Sequence, residues 1–169
     1  MRALRRSVRA SVLDRRVHSE LFFDSDATAD AVLLVAAISA VVYVGNVIRF
    51  GFFSVTGLLE SVIFGLVAWL ILAGATWLAA TRLFDGSGQL QTMMRLHGHC
   101  ELPLILAVIG PIGSIVGLVW SAVAKVVATS EAGSVDTIKA VASVLIGFAL
   151  VFIIRLIFRL PFLAFGALF

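Results

Sequence analysis

Between residues 97 and 101 the chain reads His-Gly-His-Cys-Glu, the one place where several metal-ligating side chains stand together. His97, His99, Cys100 and Glu101 are all zinc ligand types, and a tetrahedral site takes four such groups. Their spacing argues against that use. Successive residues on a helix project about 100° apart, so His99, Cys100 and Glu101 cannot converge on one ion unless the helix unwinds. The only other histidine is His18, and Cys100 is the single cysteine, which leaves no internal disulfide framework. The competing reading is a polar helix start at an interface, with Glu101 near the positive end of the helix dipole. No nucleophile–base pair, phosphate-binding loop or dinucleotide fingerprint stands elsewhere; Asp85-Gly86-Ser87-Gly88 is a turn. No catalytic residue, cofactor or metal is therefore assigned, and the chain reads as non-enzymatic.

A second pattern serves packing. Gly113, Gly117 and Ser121, four apart, put small residues on one ridge of a helix, as close helix contact in membranes requires. Trp120 stands beside that ridge. Three residues before Gly113, Gly110-Pro111 interrupts the same apolar run. Proline removes a hydrogen bond and clashes with the preceding turn, so a kink or break is expected there.

The elements that position these residues belong in a bilayer. Ala31–Ile48, Ser61–Thr81, Leu102–Ala124 and Ala140–Ile154 contain no charged residue. A hydrocarbon core of about 30 Å needs roughly 20 apolar helical residues. Composition agrees: 61% hydrophobic and 14% charged, against about 25% charged in soluble domains, with a mean hydropathy of +1.10. The reading is an all-α integral membrane protein, a bundle of four to five transmembrane helices behind a basic amphipathic N-terminal helix. Residues 1–30 form the cytoplasmic N-terminal segment and 31–169 the bundle. Spans are expected at about 31–49, 58–83, 102–128 (kinked or broken at 110–113) and 137–158. Asp26, Thr28 or Asp30 is expected to cap the first span, and the last is expected to run until Pro161.

The net charge of +3 is not a nucleic-acid signal. Six of the thirteen Lys and Arg lie in the first sixteen residues, and most others punctuate the spans, as topology-setting charges do. Arg2, Arg5, Arg6 and Arg9 fall on one helical face and Leu4, Val8 and Val12 on another. Two readings stand: an interfacial anchor for anionic lipid headgroups, or a cytoplasmic topology signal with little structure. Arg15, Arg16, Arg82 and Arg95 complete the set expected to face lipid or a partner. Charges recurring from Arg2 to Asp30 leave no room for a signal-peptide apolar stretch. The short segment Gln89–His97 reads as a helix lying at the interface or against the bundle. Glu60, Lys125, Lys139 and Arg155 all fall near expected span ends. The charge rule favours four spans, or four with an incomplete fifth, which places Glu131 and Asp136 opposite Arg82.

From the second span onward the chain resembles the Yip domain family, relatives of the Ypt/Rab-interacting membrane proteins. The resemblance rests on Leu21-Phe22-Phe23, Thr76-Trp77-Leu78-Ala79-Ala80-Thr81-Arg82-Leu83-Phe84, Gly86-Ser87-Gly88 and Leu96-His97-Gly98-His99 leading to Leu102-Pro103. It continues in Pro111-Ile112-Gly113, Val119-Trp120-Ser121 and Thr137-x-Lys139-Ala140. It implies about five membrane helices, a cytoplasmic N-terminus and, for eukaryotic members, binding of prenylated Rab GTPases. This chain looks like a compact prokaryotic member of a cytoplasmic membrane. It departs from the family in His99, where tyrosine is common, in the short distance from Pro103 to Pro111, and in lacking a long acidic cytoplasmic domain. The leading reading of function is the organisation of partner proteins or lipids at the cytoplasmic membrane face, with anionic headgroups and a homo-oligomer or another membrane protein as candidate partners. The alternatives are a small transporter or channel subunit with a cavity at Gly110–Gly113, and a metal-dependent membrane enzyme built on His97–Glu101.

Overall fold

A computed structural model describes residues 2–166 of the chain apart from 15, 18, 19, 22, 23 and 25, with side chains from 4 to 157. Among these residues there is no strand. Four helices are long and apolar enough to cross a membrane, and the protein is an all-α membrane bundle. The N-terminal helix α1 covers Arg2–Ser11. The four long helices are α2 (Ala27–Phe50), α3 (Val55–Arg82), α5 (Pro111–Gly133) and α6 (Thr137–Gly166). Between α3 and α5 lie the short helix α4 (Leu90–His99) and a 3₁₀ segment, Leu102–Ile109.

Local chemistry sets most of the boundaries. Gly51, at φ 82°, ends α2 in the left-handed region, and its N–H returns to Val47 O at 2.7 Å, the glycine stop expected of a helix C-terminus. Ser54 caps α3 by accepting from Gly57 N. Tyr43 locks the link: its hydroxyl donates to Ser54 O and accepts from Ser54 N, both at 2.8 Å. The start of α2 is different from expectation. Asp26 occupies the cap position without a side-chain hydrogen bond, Thr28 Oγ1 accepts from Arg95 Nε at 2.7 Å, and Asp30 lies 3.9 Å from Arg6. Arginines brought in by tertiary packing claim two of the three side chains expected to cap the helix.

The segment expected as one broken span, 102–128, is a hairpin. Gly110, at φ 120° and ψ −164°, turns the chain, a conformation essentially reserved for glycine. Pro111 then opens α5 at its first turn, where its missing N–H is harmless. The 3₁₀ segment returns antiparallel along α5: Leu106 O lies at Gly113, Pro103 O at Gly117, and Cys100 O accepts from Ser121 Oγ at 2.8 Å. The same alignment continues through α4, where His97 meets Thr129 and Gly88, just before α4, meets Ala132. Ten α-helical residues and eight 3₁₀ residues rise about 15 and about 16 Å. Together they run alongside most of α5, whose 23 residues rise about 35 Å. The chain thus traverses the bundle five times, once through this composite element.

That count places the ends. Ser87 N donates to Gly133 O at 3.0 Å, and α6 packs on α3 with Gly147 against Leu72 and Thr76. Glu131 and Asp136 therefore lie at the same end as Arg82 (hereafter the α1 end), not opposite it. The opposite end carries Arg49, which donates to Val108 O at 2.7 Å. The described backbone of α6 continues past Pro161 to Gly166.

A methyl group on Gly117 would overlap Pro103 O, whereas one on Gly74 meets nothing within 4 Å. Gly117→Ala and Gly110→Ala are each expected to destabilise by about 1–3 kcal/mol, lowering the melting temperature in detergent by several degrees. Gly74→Ala is expected to melt at or above the parent. A Gly117→Ala protein that melts with the parent would contradict the close approach.

Candidate functional site

Continuing the row Gly113–Gly117–Ser121 by four residues gives Lys125, and by four more Thr129. All five are buried on the side of α5 that faces the composite element. Lys125 Nζ lies 3.0 Å from Glu101 Oε1, with side chains 1% and 8% exposed. It also donates to Ser121 Oγ at 2.5 Å and sits 5.7 Å from the centre of the Phe148 ring. The sequence put Lys125 near a span end; the hairpin carries it into the interior. Glu101 is available there because it stands at the joint between α4 and the 3₁₀ segment.

The pair closes one end of a cavity of about 510 Å³. Val35, Ile38 and Val42 of α2, Phe64 and Trp69 of α3, Leu104 of the 3₁₀ segment, Leu118 of α5 and Phe148 and Phe152 of α6 form its apolar wall. Ser39, Ser61, Ser114 and Arg155 add polar groups. A cavity of this size, apolar with a few placed polar groups, has the character of a small-molecule or lipid site.

His97, His99, Cys100 and Glu101 face different neighbours. His97 Nε2 is 3.0 Å from Thr129 Oγ1 on α5, and His99 Nδ1 is 2.8 Å from Ser7 Oγ on α1. Cys100 is buried among Ala10, Met93, Leu96 and Ala124, and Glu101 binds Lys125. Among the described residues no three His, Cys, Asp or Glu side chains form a ligand group. Beside Pro111, where a transporter cavity was considered, the hollow is lined by Leu106, Ile109, Ile112 and Val116 without a charge.

The basic residues divide. Arg6 turns inward, 2.7 Å from Asp24 and 8% exposed, so it does not face headgroups. Arg5, Arg16 and Arg82 are exposed. Arg9 binds Asp14 at 2.8 Å and Glu20 at 2.9 Å. The hydrogen bond from Arg9 holds the Asp14 carboxyl below its ordinary range. Its contribution is therefore present at neutral pH and fades only as pH falls through that lowered value. Arg95 is tied to Thr28. Arg15 and the side chain of Arg2 lie outside the described residues. Trp120 reaches across to α1, donating to Ser11 O at 2.6 Å.

The model of the Yip1 domain family matches residues 21–158. The chain belongs to the Yip1 domain family. No curated protein and no solved structure matches it. The Yip1 segment contains every cavity residue named above, while α1 precedes it. Trp69 and Trp77, eight residues apart on α3, both hold α4 or its leading turn, donating to Met94 O at 3.1 Å and Gly88 O at 2.8 Å. Within this Yip1 domain, sequence reasoning missed Lys125, Thr129 and Arg155. The first two were within reach, since the four-residue row extends to them without a gap.

Removing one member of the buried pair strands the other's charge. Lys125→Met is expected to destabilise by about 3–5 kcal/mol, and Lys125→Met with Glu101→Leu by much less. Thermal melting in one detergent checks this; equal losses in both proteins would mean the pair is not coupled.

Proposed function

We propose that this Yip1 domain protein is a non-enzymatic organiser of lipid at the cytoplasmic face of a prokaryotic membrane, with its N-terminus in the cytoplasm. The observation that carries the reading is the orientation of α1. Its Arg6, Ser7, Ala10 and Ser11 side docks on the bundle, while Leu4, Val8 and Val12 stay exposed with Arg5 beside them. A helix docked by its polar side, with its apolar stripe turned outward beside half-exposed Trp120, is suited to lie in the headgroup boundary. This favours the anchor over an unstructured topology signal. The cytoplasmic assignment is supported by the excess of basic residues at the α1 end, where Arg5, Arg6, Arg9, Arg16, Arg82 and Arg95 gather, against Arg49, Arg155 and Arg159 toward the other.

Two experiments test this. Arg5→Gln with Arg16→Gln is expected to lower several-fold the phosphatidylglycerol retained by the detergent-purified protein, from about 1 kcal/mol per charge near the surface. Unchanged retention would refute the anchoring role. Cys100 is buried, so in a Cys100→Ser background Ser87→Cys is expected to label from the cytoplasmic side and Phe53→Cys from the other. The reverse pattern overturns the orientation.

A further inference from the structure

Among the described residues, Arg155 is the cavity-lining charge without a carboxylate partner. Lys125 and Glu101 neutralise each other at the inner end, but among the described residues no carboxylate pairs with Arg155, which also lines the cavity. It stands two turns beyond Phe148 on α6, so the two share a face about 10 Å apart. Its neighbours Phe152, Ile153, Leu156 and Ile157 are exposed, as a lipid-facing surface is. A charge within a membrane span is costly, and such residues are almost always paired. An anionic lipid headgroup can supply that partner.

The position of Arg155 indicates which leaflet supplies it. Eighteen residues of helix separate it from Thr137, about 27 Å of rise, so it lies toward the leaflet opposite the α1 end. A guanidinium presents two parallel donors to phosphate, and the apolar wall continues inward from it past Phe148 and Trp69. We propose that the cavity holds one acyl chain of an anionic phospholipid from that leaflet. Its phosphodiester rests on Arg155, and the chain runs toward the Lys125–Glu101 pair. This site is separate from the α1 surface and does not depend on it.

Trp69 supplies the readout. The full chain carrying Trp77→Phe and Trp120→Phe is placed in nanodiscs with phosphatidylglycerol or phosphatidylcholine brominated on the acyl chains, which quench a tryptophan they touch. Quenching is expected at about tenfold lower mole fraction of the anionic lipid, equivalent to about 1.4 kcal/mol. Arg155→Gln, a change at an exposed position, should erase that preference. Ala68→Phe, which fills the cavity, should remove quenching by both lipids. Arg5→Gln should leave the preference intact, so failure of the α1 reading is seen separately. Equal quenching by the two lipids in the parent, or a preference that survives Arg155→Gln, overturns the proposal. Displacement by millimolar inorganic phosphate would assign Arg155 to a free anion and also overturn it.

Discussion

Backbone carbonyls inside a bilayer have no water to turn to, and the joint between α4 and the 3₁₀ segment is where this bundle must solve that problem. Ser121 takes Cys100 O, and Arg49 takes Val108 O at the far end. Along the remainder, Gly113 and Gly117 let α5 approach the carbonyls of Leu106 and Pro103 without a side chain between. Much else is consequence. The row on α5 must stay small, the residue after the glycines must carry a hydroxyl, and the next member of the row is carried into the interior. That member is Lys125, and its burial requires Glu101. The cavity lies beside this joint because a 3₁₀ segment fills less of the bundle than a full helix does.

How far the sequence reveals this differs by element. The charge-free runs foretell α2, α3 and α6 because a long apolar helix has one stable place, and the Yip1 resemblance is written in motifs that survive as contiguous strings. The row at Gly113 was legible as close contact. Its partner was not, because a short, apolar 3₁₀ segment has no periodicity of its own to distinguish it from the start of a longer helix. Gly110-Pro111 marks a break equally well as a kink within one span or as the turn between two, and only the partner's direction decides which. That ambiguity put Glu131 and Asp136 at the wrong end. It also hid Lys125, whose burial follows from the hairpin rather than from its neighbours in sequence.

The N-terminal helix illustrates a different limit. Helical projection separated Arg2, Arg5, Arg6 and Arg9 from Leu4, Val8 and Val12, but not which side meets the protein. In a soluble protein the apolar side would dock. Here the bundle offers Asp24, Asp30 and His99, so Arg6 and Ser7 dock and the apolar stripe is left for lipid. The partners of α1 lie on α2, the joint and α5, so the helix reports on the packing of three elements at once. α1 precedes the segment that the Yip1 domain model matches.

The buried pair is weak evidence for stability, because desolvation of two charges offsets most of their attraction. Its physical consequence here is register. On α5, small or hydroxylic residues stand at every fourth position from Gly113 to Thr129 except Lys125, so a shift of one helical turn would still present a largely narrow surface to the 3₁₀ carbonyls. Packing alone distinguishes such alignments poorly. A one-turn slip would move Glu101 from Lys125 to Ser121 or Thr129 and leave two charges unpaired in a dry interior, and it would part His97 from Thr129 as well. The polar contacts at 97–129, 100–121 and 101–125 therefore select one alignment among several that the glycine row would accept. That alignment sets where the 3₁₀ segment stands, and with it the width of the cavity opposite Arg155.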